Sequence, residues 1–230
     1  MELRLLSAEA EKRAFAQSLA QARMTRGAGF CETRRSLVGE AHLVFGRLYA
    51  LFDDQGANPN EMLAGFAIHD LATFPQSYPK PDLTRLPPES VIECGELWAV
   101  AAGGARLARH AGWILAGILQ AKALLVYPIL KPWNLSYMYK GFDRVGDPIE
   151  WPYARTLDDG KIFVQAMVLE GEALSRTVTE ACAFGYEALD GERRIRFTSP
   201  FPVCSRHGGP SVEEVRRQRS RRKAPARVAA

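Results

Sequence analysis

Two carboxylates, Glu93 and Glu96, stand in the apolar run from Val91 to Val100, with Cys94 and Gly95 between them. A carboxylate held beside apolar side chains can serve in proton transfer, and it can equally be a structural or surface charge. The odd separation of the pair puts its members on opposite faces of a regular strand. At most one then faces a given cleft unless a bulge intervenes, and Gly95 is a residue at which a bulge is conceivable. Glu96 ranks ahead of Glu93, because regular alternation puts it on the side of Trp98 and Val100. A second group follows directly. Gly103-Gly104 precedes the apolar-periodic stretch Ala105 to Ala121, and glycine amides at the start of a helix form an anion-binding nest to which Arg106 or Arg109 adds charge. The alternative is a plain strand-to-helix turn. Cys31, Cys94, Cys182 and Cys204 form no paired C-x-x-C spacing, and His42, His69, His110 and His207 are scattered. No metal is expected from such spacing.

A chain of 230 residues, 47% hydrophobic and 24% charged, has the composition of a globular protein with one sizeable core and at most an appendage. The formal charge is +4, and seven basic residues fall between Arg216 and Arg227, so the body without them carries about −3. A nucleic-acid surface spread over the body is thus not expected. Any contact with polyanions belongs to the basic tail, whose plainer reading is a solvated terminus. The start Met1-Glu2-Leu3-Arg4 lacks the pattern of a signal peptide, and no run is long and apolar enough to cross a bilayer, so a cytoplasmic location is expected.

The elements that must position these groups read as follows. Leu3, Leu5 and Leu6 form a short strand, and Ser7 caps a helix from Ala8 to Arg23 with Phe15, Leu19 and Ala22 on one side. Thr25 to Glu40 reads as loop. His42 to Phe52 and Met62 to Thr73 form a hairpin around Asp53-Asp54-Gln55-Gly56 and Asn58-Pro59-Asn60. Val91 to Val100 is a strand, Ala105 to Ala121 a helix, Ala123 to Leu130 a strand and Trp133 to Lys140 a short helix. Phe142 to Arg155 and Lys161 to Leu169 make a second hairpin around Asp158-Asp159-Gly160. Glu172 to Leu189 is a further helix, and Arg193 to Phe197 a last short strand. The fold class is α/β, with a mixed sheet.

This order, β α β β β α β α β β, resembles the GNAT N-acyltransferase superfamily, and Tyr137-Met138-Tyr139-Lys140-Gly141-Phe142 resembles that family's Tyr-x-x-x-Gly-Phe block. The resemblance covers about 1–169. It implies a GNAT acyl-CoA N-acyltransferase-like domain over 1–169; beyond what it covers, the sequence itself reads as a helical extension over 170–205 packed on that domain and a basic tail over 206–230. The resemblance implies attack of an amine on a thioester, with Tyr137 as general acid and Glu96 or Glu93 as base; Tyr137 as a packing aromatic, with Tyr139, is the alternative. It further implies that Val100, Ala102, Gly103, Gly104, Ala105 and Arg106 hold the donor, although the family's usual Arg/Gln-x-x-Gly-x-Gly/Ala spacing is not reproduced here. Departure at that turn also occurs in the branch of acyl-homoserine-lactone synthases and long-chain N-acyl amino acid synthases, which take acyl groups from acyl carrier protein as well as from CoA. Glu93-Cys94-Gly95-Glu96-Leu97 loosely resembles a segment of that branch. The function implied is transfer of an acyl group from acyl-CoA or an acyl carrier protein thioester to a small-molecule amine, with a catalytically inactive binding module as the alternative. Acyl carrier protein is then a candidate partner, and the extra helix buries its apolar side on its own chain or in a homodimer.

Overall fold

Leu3 and Leu6 are the first apolar anchors, buried in and just beyond a short strand, β1 (Glu2–Leu5). The amides of Ser7 and Ala8 donate to the Glu11 carboxylate at 3.3 and 3.1 Å. Glu11 thus serves amides at the start of α1 (Glu9–Thr25), as the carboxylate half of a capping box does. Phe15, Leu19 and Ala22 recur at helical spacing and are buried against the sheet. The structure is a computed structural model and describes residues 2–25, 30–32, 46–53, 61–73, 81–83, 85–100, 103–130, 139–156, 160–190 and 196–197. All of these lie in one compact unit, Met1–Pro200.

Apolar runs broken by turn residues build the strands. These are β2 (Phe30–Glu32), β3 (Arg47–Phe52), β4 (Met62–Asp70), β5 (Val91–Ala99), β6 (Ala123–Val126), β7 (Asp143–Arg144), β8 (Ile149–Thr156), β9 (Lys161–Val164), β10 (Met167–Glu170) and β11 (Arg196–Phe197). An eight-stranded mixed sheet has the order β11-β1-β3-β4-β5-β6-β10-β7, and β2-β8-β9 form a smaller sheet. The central pair β5 and β6 is parallel, and β4 and β10 flank it in antiparallel register. The crossover between the two parallel strands is helix α2 (Gly104–Ile118). Helix α3 (Gly171–Asp190) follows β10 directly and packs on α2.

The expected hairpin of 42–52 with 62–73 is present as β3 and β4. The second expected hairpin is divided. Residues 142–155 and 161–169 do not make two long strands; β8 and β9 pair in the small sheet, whereas β7 and β10 pair in the large one. The break falls at Gln165 and Ala166. Gln165 is buried, and its side-chain amide donates to the carbonyls of Val145, Gly146 and Ala166 at 3.1 to 3.3 Å. Those bonds serve main-chain acceptors where both strands change sheet. A further departure is β2, a short strand inside the segment read as loop, paired with β8. The expected short helix at Trp133 to Lys140 lies, apart from its last two residues, outside the described residues.

Candidate active site

The parallel ladder of β5 and β6 is short. Val91, Ile92 and Glu93 pair with Ala123, Leu124 and Leu125, and there the ladder stops, although β5 continues to Ala99. Past Glu93 the two strands share no register, so the sheet opens between them. Glu93 therefore sits at the root of the opening.

A bulge in β5 decides which face each residue takes. Ala67 of β4 pairs with Gly95 and Gly65 pairs with Trp98, so Phe66 alone stands against both Glu96 and Leu97. Glu96 has φ +53°, a left-handed conformation that costs a non-glycine residue on the order of 1 kcal/mol. The bulged residue is thus Glu96 itself rather than Gly95. Trp98 returns to the face of Glu93, Gly95 and Ala67, where it packs with Phe15 of α1 at 5.5 Å between ring centres. The alternation that would have joined Glu96 to Trp98 is broken, and Glu93 is the carboxylate on Trp98's face.

Around Glu93 that face holds two other proton-bearing groups. His69 of β4 is its cross-strand partner and is 4% exposed, while Glu93 is 2% exposed. Tyr127, two residues beyond Leu125, lies across the opening on the same face and rests on the Leu125 cluster, 5.9 Å from Trp151. Burial first, and then the Glu93 charge, push the Tyr127 hydroxyl well above the ordinary phenol range. A Cβ at Gly95 would come within 2.5 Å of Glu93 Oε1, so the carboxylate leans along the strand, over Gly95, in the direction of the opening.

The other face of β5 is closed by α2. Gly103 caps this helix at φ +79°, which a side-chain-bearing residue would resist, and its carbonyl accepts the Leu107 amide at 3.1 Å. Gly104 packs into the sheet, where a Cβ would meet Ala99 Cβ at 3.1 Å and Ala64 Cβ at 3.3 Å. Ala105 is half-buried in the first turn. The Val100 amide is engaged by the Leu63 carbonyl at 2.8 Å, and the Val100 side chain packs on the Trp98 cluster. Arg106 is exposed, and its guanidinium lies over the Phe184 ring of α3 at 4.6 Å. His110 Nδ1 donates to the Arg106 carbonyl at 2.7 Å, and its ring sits 4.1 Å from that of Phe184. Cys94 faces Gly112 of α2, and burial followed by the Glu93 charge raises its thiol far above the ordinary range. Near it, Tyr139 is pushed up to about 12, by burial first and by Cys94 second, with Arg109 opposing.

These elements recur in solved structures. The N-acyl amino acid synthase FeeM from uncultured soil microbes aligns over 78% of this chain and 96% of its own, with a TM-score of 0.52 and 12% identity. A candidate acetyltransferase from Acinetobacter baylyi ADP1 aligns over 74% of this chain and 92% of its own, with a TM-score of 0.51 and 9% identity. The chain has the GNAT fold. No family model and no curated protein matches the sequence. At such identity the likeness is one of backbone course, and the GNAT fold by itself assigns no residue a role.

Within this GNAT fold, Tyr137 and Ala102 lie outside the described residues. Glu93, Gly95 and Trp98 are brought together on one face; Gly103, Gly104, Ala105 and Arg106 stay together at the start of α2. His69 and Tyr127 were not among the residues singled out for chemistry. The signal for His69 was its place on the strand preceding β5, and that for Tyr127 was a polar aromatic at the end of an apolar strand. Neither points to Glu93 until the register is known. Among the described residues no group of three His, Cys, Asp or Glu could hold a metal ion, and no helix is long and apolar enough to cross a membrane. A groove of about 490 Å³ lies elsewhere, along β7 and β10, and the Arg85–Glu170 ion pair at 2.5 Å belongs to its rim. Neither Glu93 nor Tyr127 lines it.

Proposed function

We propose that this protein is an N-acyltransferase that moves an acyl group from a thioester donor, acyl-CoA or acyl carrier protein, to a small-molecule amine. The observation that carries this reading is the opening between β5 and β6 with a buried carboxylate at its root. Beyond Glu93 the β6-side edge of β5 is released from its ladder. A pantetheine arm, common to both donors, has two amides that suit such an edge. Glu93 takes the proton from the incoming ammonium, and the free amine attacks the thioester carbonyl. The C–S bond breaks as the amide C–N bond forms, the thiolate leaves with a proton from Tyr137, the acid implied by the family block, and the second proton shed by the attacking nitrogen returns to the Tyr137 oxygen. Positioning of amine and thioester in one slot supplies much of the rate. Glu96, the bulged residue, serves the site by setting the phase of the strand.

The test is amine-dependent thioester cleavage by Glu93→Gln, across a panel of acyl-CoA and acyl carrier protein donors. A loss on the order of 10²–10⁴-fold in kcat/KM is expected, the usual contribution of a general base. An unchanged rate at every pH would remove Glu93 from the mechanism, and Tyr137→Phe examines the acid in the same assay.

A second reading is a binding module without catalysis. It is favoured by the start of α2, where Gly104 is packed into the sheet and Arg106 is occupied by Phe184. It expects no thermal stabilisation by CoA, acyl-CoA or acyl carrier protein. Saturable stabilisation together with turnover would exclude it.

A further inference from the structure

We propose that His69 is the positioning residue that holds the Glu93 carboxylate toward the opening between β5 and β6. The proposal rests on the reading of Glu93 as the base and adds a residue from the neighbouring strand. His69 and Glu93 face each other in the antiparallel register of β4 and β5. Such partners carry their Cβ atoms about 5 Å apart on the same face. Both are almost fully buried. Their neighbours on that face include Tyr127 and the apolar or small Ala67, Val91, Gly95 and Leu125. A carboxylate in such a place is costly to keep ionised unless a donor stands beside it. An imidazole supplies an N–H to a carboxylate in both its neutral and its protonated form. Gly95 completes the arrangement, because only a residue without Cβ leaves room for Glu93 to lean along the strand. His69 thus lies beside the base on the β4 side, while Tyr127 lies across the opening.

Other ionisable groups stand near the pair and are accounted for. Tyr127 faces Glu93 from the end of β6, and Cys94 lies on the opposite face of β5. Asp70 follows His69 in β4 but pairs with Ile92 on the other face, where Arg47 meets its carboxylate at 2.9 Å. On the helical side, α1 contributes Phe15, Leu19 and Ala22, all apolar, to the cluster beside this face.

The experiment follows the ionisation of Glu93 directly, in full-length protein labelled with carboxyl-¹³C glutamate. The Glu93 signal is identified by its loss in Glu93→Gln. In His69→Leu its titration midpoint is expected to rise by about one unit or more, since the hydrogen bond favouring the ionised form is gone. In His69→Gln, which keeps an N–H donor, the midpoint should move less. The reciprocal measurement needs no change at His69: the imidazole Cε1 proton shift of the wild type should move when Glu93→Gln is introduced. The acid limb of the kcat/KM profile should shift in step with the midpoint. A Glu93 midpoint unchanged in His69→Leu, with an imidazole signal indifferent to Glu93→Gln, overturns the proposal whatever the rates. If Glu93→Gln keeps full turnover while midpoint and imidazole signal move, the base reading fails and the positioning stands.

Discussion

On one face of β5 a buried carboxylate lies beside an imidazole and across an opening from a phenol; on the other, a half-buried cysteine lies under a helix. The two faces belong to the same short stretch of backbone, yet their chemistry differs. Behind Cys94, Gly112 lets α2 come close enough that an added Cβ would be 2.6 Å from Sγ. That contact closes the face, and the raised thiol has no charged form available near neutral pH. On the side of Glu93, α1 packs at Trp98, and β6 parts from β5 after Leu125. The carboxylate, imidazole and phenol thus meet where the sheet splits, and the thiol lies where α2 packs on the sheet. The bulge at Glu96 and Leu97 maintains the division by keeping Trp98 on the carboxylate's side.

Shifting the phase of β5 is the strongest way to break this contrast. Insertion of one alanine between Leu97 and Trp98 moves the alternation on by one residue, which turns Trp98 out of its cluster with Phe15 or forces the strand to slip, whereas deletion of Glu96 leaves Leu97 alone against Phe66 and keeps Trp98 opposite Gly65. The expected loss is about 3–5 kcal/mol, the scale of removing a buried tryptophan, read from urea unfolding followed by indole fluorescence. An unchanged midpoint would show that the phase of β5 does not hold Trp98 in its cluster. Gly112→Val attacks the sealed face. Overpacking against Cys94 and Phe66 should cost about 1–3 kcal/mol and lower Tm, while the Glu93 titration stays where it is. A parallel change in both would mean that the faces are coupled.

Behind the sealed face, His110 contributes a pH dependence. Burial, its largest cause, holds its pKa below the ordinary 6.5, so the unfolded chain binds the proton more readily. Stability from this group is complete above about pH 6.5 and falls as the pH drops through the folded value. His110→Gln should flatten that slope in unfolding curves between about pH 7 and 5, and a slope unaltered by the substitution would refute the assignment. The smallest expected effect is at Arg106. Its contact with Phe184 is worth about 0.5–1 kcal/mol at an exposed site, measurable as the coupling in a double-mutant cycle of Arg106→Gln with Phe184→Leu. A coupling of zero would leave the guanidinium free to serve a phosphate.

Much of the fold was legible because its signals are local. Phe15, Leu19 and Ala22 at helical spacing announce the buried stripe of α1, and Gly103 next to Gly104 announces the start of α2, since a left-handed cap favours glycine. The division of the second hairpin was not legible. Lys161 to Leu169 reads as one strand, and only the bonds of Gln165 to Val145 and Gly146, about twenty residues away in sequence, show that it serves two sheets. The site was half legible for a related reason. Glu93 and Glu96 are visible as carboxylates in a strand, but the choice between them depends on a bulge whose left-handed residue is glutamate, a residue type that does not advertise that conformation.

By itself the sequence determined the mixed α/β order, the central strand with its two carboxylates and the glycine start of the crossover helix, because each is written in the periodicity and residue types of neighbouring positions. Only the tertiary structure decided that Glu93 shares a face with Trp98, that His69 is its partner and that Tyr127 stands across an opening. Those are matters of register between strands, and a shift of one residue reverses every face while leaving the sequence pattern unchanged.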